Sequence, residues 1–194
     1  DRRKLFFLKQ EVFLNSLREN YIDNCERTAT LEDDMNFYQL AVVKGESGCG
    51  KNALLANSFL GPEVRTVRTC VDETVNSVRE LISLFLFGLG DEGCGTEAED
   101  PLAEFKKRRY DSPVIWLIDG IDRIPVHNIH EFKTLFEPVD GLRIIVSAEP
   151  ECCRSLGEIL PSVFEIEITP LEESEKLVFV RNHLKQYGKK LGSS

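Results

Sequence analysis

The stretch VVKGESGCGKNALLANSFL, Val42 to Leu60, decides how the chain is read. Two valines and a lysine lead into a glycine-rich turn, and the turn leads into a helical pattern. The turn follows the phosphate-binding pattern G-x-x-x-x-G-K-[ST] at all positions but the last. Gly45, Gly50 and Lys51 are in place, and Asn52 stands where a hydroxyl is expected. Such a loop works because successive backbone N–H groups converge on an anion. Glycines let the chain approach without a Cβ, here Gly45, Gly48 and Gly50. Lys51 would place its ammonium on the phosphates, and Glu46, Ser47, Cys49 and Asn52 complete the loop. A glycine turn that happens to precede a lysine is the plain alternative. The strand before the loop and the helix after it are the context that separates the two.

A phosphate loop of this kind requires an acid at the end of another buried strand. The run PVIWLIDG is continuously apolar, as in a strand covered on both faces, and it ends in Asp119. Asp119 is therefore a candidate for Mg2+ together with Asn52. Asp122, three residues on, is a candidate for orienting or deprotonating an attacking water. A turn aspartate paired with Arg123 is its ordinary alternative. Ser147 closes the strand LRIIVSA and is a candidate sensor of a terminal phosphate, or else a strand-end serine.

Outward from these segments, strands alternate with helices. The spacing of Leu5, Leu8, Val12, Leu17 and Tyr21 predicts an amphipathic helix over 1–22. Residues 23–36 read as a polar linker, 37–44 as the first strand and 51–59 as a helix. A second strand is expected around Val64–Val71. A helix follows with Val75, Val78, Leu81, Ile82 and Phe85 on one face. The segment 88–100 is rich in glycine and acids and reads as a loop. Pro101 opens a short helix, and 126–139 reads as another. SVFEIEITP supplies a fifth strand. A last helix is capped by Thr169, Pro170 and Glu172, with Leu177, Val180, Leu184, Tyr187 and Leu191 in its stripe. The order predicts an α/β fold, a mainly parallel five-stranded sheet between helix layers. Its expected parts are an N-terminal helix and linker (1–34), a nucleotide-binding core (35–169) and a C-terminal helix (170–194).

Composition bounds the function. The 194 residues are 42% hydrophobic and 29% charged, as in a globular chain, and the formal net charge is −9. That charge argues against binding nucleic acid or an anionic membrane at large. The basic cluster KKRRY, Lys106–Tyr110, reads as a solvated helix face. No apolar run approaches the ~20 residues that cross a bilayer, and the N-terminal stretch does not read as a signal peptide. The six cysteines have no metal-ligand spacing, there is no N-x-[ST] sequon, and free thiols in the cytoplasm are expected.

With GESGCGKNALLAN, WLIDGIDRI, GLRIIVSAEP and ITPLEESEKLVFVRNHLKQYGKKL assembled, the chain resembles the NACHT branch of the STAND NTPases over roughly residues 35–191. It is most similar to the nephrocystin and telomerase-associated type. The resemblance implies a three-layer core that binds ATP, or less often GTP, with Mg2+. It implies slow hydrolysis used as a switch for signalling or assembly, with protein partners. It also implies that the fragment continues into a helical module and TPR or WD40 repeats. Three positions depart from the pattern. Asn52 replaces the Ser/Thr on Mg2+, Arg123 stands where a second acid is frequent, and Ala148 stands where a polar group is frequent. Each departure weakens hydrolysis more than binding, because triphosphate affinity leans on loop amides and Lys51. The reading from a different class is a degenerate loop domain that acts as a protein-interaction scaffold. A small-molecule kinase would want an arginine-rich lid where 88–100 is acidic.

Overall fold

The computed structural model describes residues 2–20, 31–90, 100–125, 129–157 and 163–170, with 173, 176–177, 180–181 and 184 beyond them. In chain order its elements are helix α1 (Arg2–Asn20), strand β1 (Leu40–Lys44), helix α2 (Lys51–Asn57), strand β2 (Arg65–Cys70) and helix α3 (Val78–Gly88). Then come helix α4 (Pro101–Lys107), strand β3 (Val114–Asp119), a 3-10 turn (Ile121–Arg123), helix α5 (Ile129–Phe136), strand β4 (Leu142–Ala148), helix α6 (Pro150–Gly157) and strand β5 (Phe164–Glu167).

The five strands form one sheet in the order β2-β3-β4-β1-β5, and every pair is parallel. Parallel strands need crossovers, which lay helices on the faces and bury the central strands. All six residues of β3 are buried, as its unbroken apolar run requires. On one face Val42, Trp116, Ile118, Ile144 and Val146 pack with Ile82, Phe85, Phe105 and Phe132 from α3, α4 and α5. Trp116 stacks on Phe85 with centroids 4.2 Å apart, and its indole N–H donates to Thr69 Oγ1 at 3.1 Å. On the other face Val43, Ile115, Leu117 and Ile145 pack with Leu54 and Leu55 of α2. The sheet thus lies between two helix layers.

Capping follows local chemistry. Ser77 accepts from the Glu80 amide at the start of α3, and Asp100 accepts from Leu102 at the start of α4, with Pro101 in the first turn. The basic cluster is tied down: Lys106 pairs with Glu137, Arg108 with Glu104 and Arg109 with Asp140.

Four expectations are corrected. Helix α1 forms, but Phe6 and Gln10 face inward while Leu5, Leu8 and Val12 are exposed. Apolar residues surround that helix, so their spacing alone does not choose a face. Leu31 and Met35, in the expected linker, are fully buried under the sheet beside a helical turn over 31–34. Strand β1 starts at Leu40, with Phe37 largely exposed before it. Helix α6 was not anticipated; Cys153 and Leu156 are its only buried residues, too few to make a periodic pattern. In the last helix, Leu177, Val180 and Leu184 are exposed, while Glu172, Tyr187 and Leu191 lie outside the described residues. Residues 91–99 of the acidic loop also lie outside them.

Candidate phosphate site

The loop between β1 and α2 is held by its backbone. The Gly45 N–H donates to Ala148 O at 3.2 Å, which ties the loop to the end of β4. A Cβ at Gly45 would stand 2.5 Å from Cys49 Sγ and 2.6 Å from Ile168 O, so only glycine fits. Gly48 and Gly50 adopt φ 80° and 101°, the left-handed region that glycine enters without strain. Glu46, Ser47, Gly48 and Gly50 are exposed, and Cys49 is half-buried.

Lys51 is buried although it carries a charge, and its Nζ donates to Gly45 O at 2.6 Å and Glu46 O at 2.8 Å. A buried ammonium needs such acceptors. These two bonds close the loop around the cation and leave a positive centre beneath the exposed loop.

Strand β4 lies between β1 and β3, which brings Ser147 against Asp119. The Ser147 hydroxyl donates to Asp119 Oδ1 at 2.5 Å and accepts from the Gly120 N–H at 2.8 Å. Both side chains are buried. Burial pushes the Asp119 carboxyl above the usual carboxylate range, opposed by the Ser147 hydroxyl and the charges of Arg123 and Lys51. Gly120 has φ 78°, which turns the chain off β3 into the 3-10 turn. On that turn Asp122 is exposed, and Arg123 Nη1 donates to Val71 O at 2.8 Å.

Asn52 is half-buried and lines a narrow crevice with Asp119, Arg68, Cys70 and Leu14. Thus Lys51, Asn52, Asp119 and Ser147 share one end of the sheet, and Asp122 lies just beyond it. Three participants were not read from the sequence. Arg68 donates from Nη2 to Ser58 O and Phe59 O behind α2, and burial lowers its pKa to about 10. From α1, Arg18 Nε donates to Ala56 O at 2.9 Å, and Gln10 Nε2 donates to Cys70 O at 2.8 Å. An arginine inside an alternating strand was a visible signal for Arg68. Nothing local pointed to Gln10 or Arg18, whose partners are distant backbone carbonyls.

The four cysteines among the described residues, Cys49, Cys70, Cys152 and Cys153, are free thiols. Burial and then the Asp119 charge push the Cys70 thiol up to about 12.

The family model of an AAA domain, AAA_22, matches residues 38–156. A Drosophila ORC structure bound to DNA superposes with a TM-score of 0.66 at 16% identity, covering 93% of this chain and 51% of that one. A Walker-type ATPase of Pyrococcus abyssi gives 0.60 at 14% identity, covering 88% and 60%. Saccharomyces cerevisiae RIF2 gives 0.52 at 11% identity, covering 93% and 69%. At such identities the likeness shows the fold alone, and the chain spans about half the length of the first of these. No curated protein matches the sequence. With the loop, the acid-ended strand and the intervening serine strand all inside the matched span, the chain belongs to the AAA_22 family of AAA domains.

Proposed function

We propose that the chain is the nucleotide-binding module of a STAND/NACHT-like regulatory protein, a signalling or assembly switch whose hydrolysis is slow or impaired. The observation that carries this is the buried Lys51 ammonium inside a glycine loop, with Ser147 on the next strand hydrogen-bonded to Asp119 on the one beyond. Loop amides after Gly45, whose own N–H is taken by Ala148 O, would bind the phosphates of ATP or GTP, and Lys51 would exchange its two carbonyl partners for phosphate oxygens. Ser147 would hold Asp119 in position, and Asp122, exposed at the rim, would face water.

Mg2+ fits this donor set poorly. Position 52 offers an amide, and Asp119 already accepts a hydroxyl on Oδ1. That mismatch is the reason to expect binding to outlast turnover.

The partners follow from the same reading: further domains of a longer chain, and other proteins. Among the described residues no helix is long and apolar enough to cross a membrane, and a cytoplasmic setting suits the free thiols. The net charge of −9 and the paired state of Lys106, Arg108 and Arg109 weigh against direct nucleic-acid contact by this chain.

Calorimetric titration with ATP and GTP tests the reading. Lys51→Ala should weaken binding about 10–100-fold, the loss of charge-assisted hydrogen bonds. If neither nucleotide binds wild-type protein at millimolar concentration, the scaffold reading replaces this one. Asn52→Ser should raise Mg2+-dependent phosphate release if position 52 limits turnover, and unchanged release would assign the limit elsewhere.

A further inference from the structure

We propose that this site binds its nucleoside triphosphate without requiring a divalent cation, with Arg123 supplying the fixed positive charge beside Asp119. The inference rests on the nucleotide-binding reading above and names what that site does with metal.

The first observation is space. Asn52 and Asp119 line the same crevice, whose other walls include Leu14, Leu55 and Leu117. It measures only ≈ 10 Å³. That is room for about one water between the two side chains, and none of the loop residues from Gly45 to Lys51 lines it, so this crevice is not itself a seat for Mg2+ with its several waters. The second is the donor set. Asn52 brings an NH2 group with its oxygen, and Asp119 Oδ1 already takes the Ser147 hydroxyl.

The third observation is a cation already in place. Arg123 donates to Val71 O, and the Val71 N–H in turn donates to Asp119 O at 2.8 Å. The Arg123 Nε and Cδ lie 3.3 and 3.4 Å from the position a Cβ would take on Gly120. The arginine therefore folds back over Gly120, next to the acid. It is pinned at one end of its guanidinium yet exposed to solvent. A fixed charge there repels a second cation and attracts phosphate oxygens, to which guanidinium groups bond well. An acid in this position would do the reverse.

Calorimetric titration of the purified chain with ATP, once in EDTA and once in Mg2+, tests the proposal. Wild-type dissociation constants should agree within about threefold between the two buffers. Arg123→Gln should weaken binding in EDTA about tenfold, and Arg123→Lys should recover part of it. Asn52→Ser with Arg123→Asp should make binding tighter in Mg2+ than in EDTA by about tenfold or more. Circular dichroism confirms that each variant is folded. Wild-type binding seen only with Mg2+ overturns the proposal while leaving the nucleotide reading intact. So does Arg123→Gln binding ATP in EDTA as tightly as wild type. Binding in neither buffer overturns the nucleotide reading, and this proposal with it.

Discussion

At Gly45 the phosphate loop, β4 and the chain after β5 meet within a few ångströms. A methyl group there collides with Ile168 O, a backbone atom that cannot swing aside. Gly45→Ala should therefore lower stability by about 1–3 kcal/mol in urea unfolding and weaken ATP binding with it. Gly48→Ala meets no atom and strains only its φ of 80°, so about 1–2 kcal/mol bounds its effect. Asp119 gives a prediction of opposite sign. Its folded carboxyl titrates above the unfolded one, so the native state holds the proton more tightly. Stability contributed by this group is then lost as pH rises from the unfolded value through the folded one. Asp119→Asn should remove that penalty and raise Tm at neutral pH. A calorimetric scan checks it; a lowered Tm would mean that the carboxylate is a net stabiliser. The places of Lys51, Asp119 and Ser147 at loop and strand ends were legible because glycines and apolar runs mark those ends. The carbonyl partners of Arg68 and Arg123 were not, since they depend on which strands become neighbours.

Helix α1 shows what periodicity leaves open. Leu5, Phe6, Phe7 and Leu8 are consecutive, and Val12, Phe13 and Leu14 repeat the pattern, so two opposite faces are equally apolar. Tertiary contacts choose between them. Phe6 enters the core, Phe7 stacks on Phe87, and Gln10 and Arg18 reach carbonyls at the ends of β2 and α2. Phe6→Ala should accordingly lose about 3–5 kcal/mol. Leu8→Glu or Val12→Glu should stay within about 0.5 kcal/mol of wild type, because both side chains face solvent. Urea unfolding of the three variants decides which face docks. Strands β1 to β5 were legible because each is a short apolar or alternating run between breakers. Helix α6 was not, because Pro150 and two cysteines precede its single buried leucine. Asn52 keeps its identity as an amide whatever its neighbours do, but its crevice became visible only once Leu14 of α1 closed it.

Across the whole molecule the sheet order β2-β3-β4-β1-β5 puts the loop strand two places from the acid strand, with the serine strand between them. No local pattern contains that arrangement, since it arises from how successive crossovers pack. The single tryptophan sits at the centre of it. Trp116 is fully buried against Phe85 and Phe105 and is bonded to β2, so its environment exists only when sheet and helices are assembled. Its fluorescence should shift to the red at the same urea concentration at which far-UV circular dichroism is lost. Separate midpoints would show that the helix layer and the sheet come apart independently. At the far side of the sheet, β5 has four residues and pairs with β1 alone among the described strands. Glu165 and Glu167 alternate outward along it and are exposed. An open parallel edge is a template on which other chains can add strands, and short length with outward charge blunts it. Among the described residues Glu165 and Glu167 supply that outward charge on β5, a property independent of anything the phosphate loop binds.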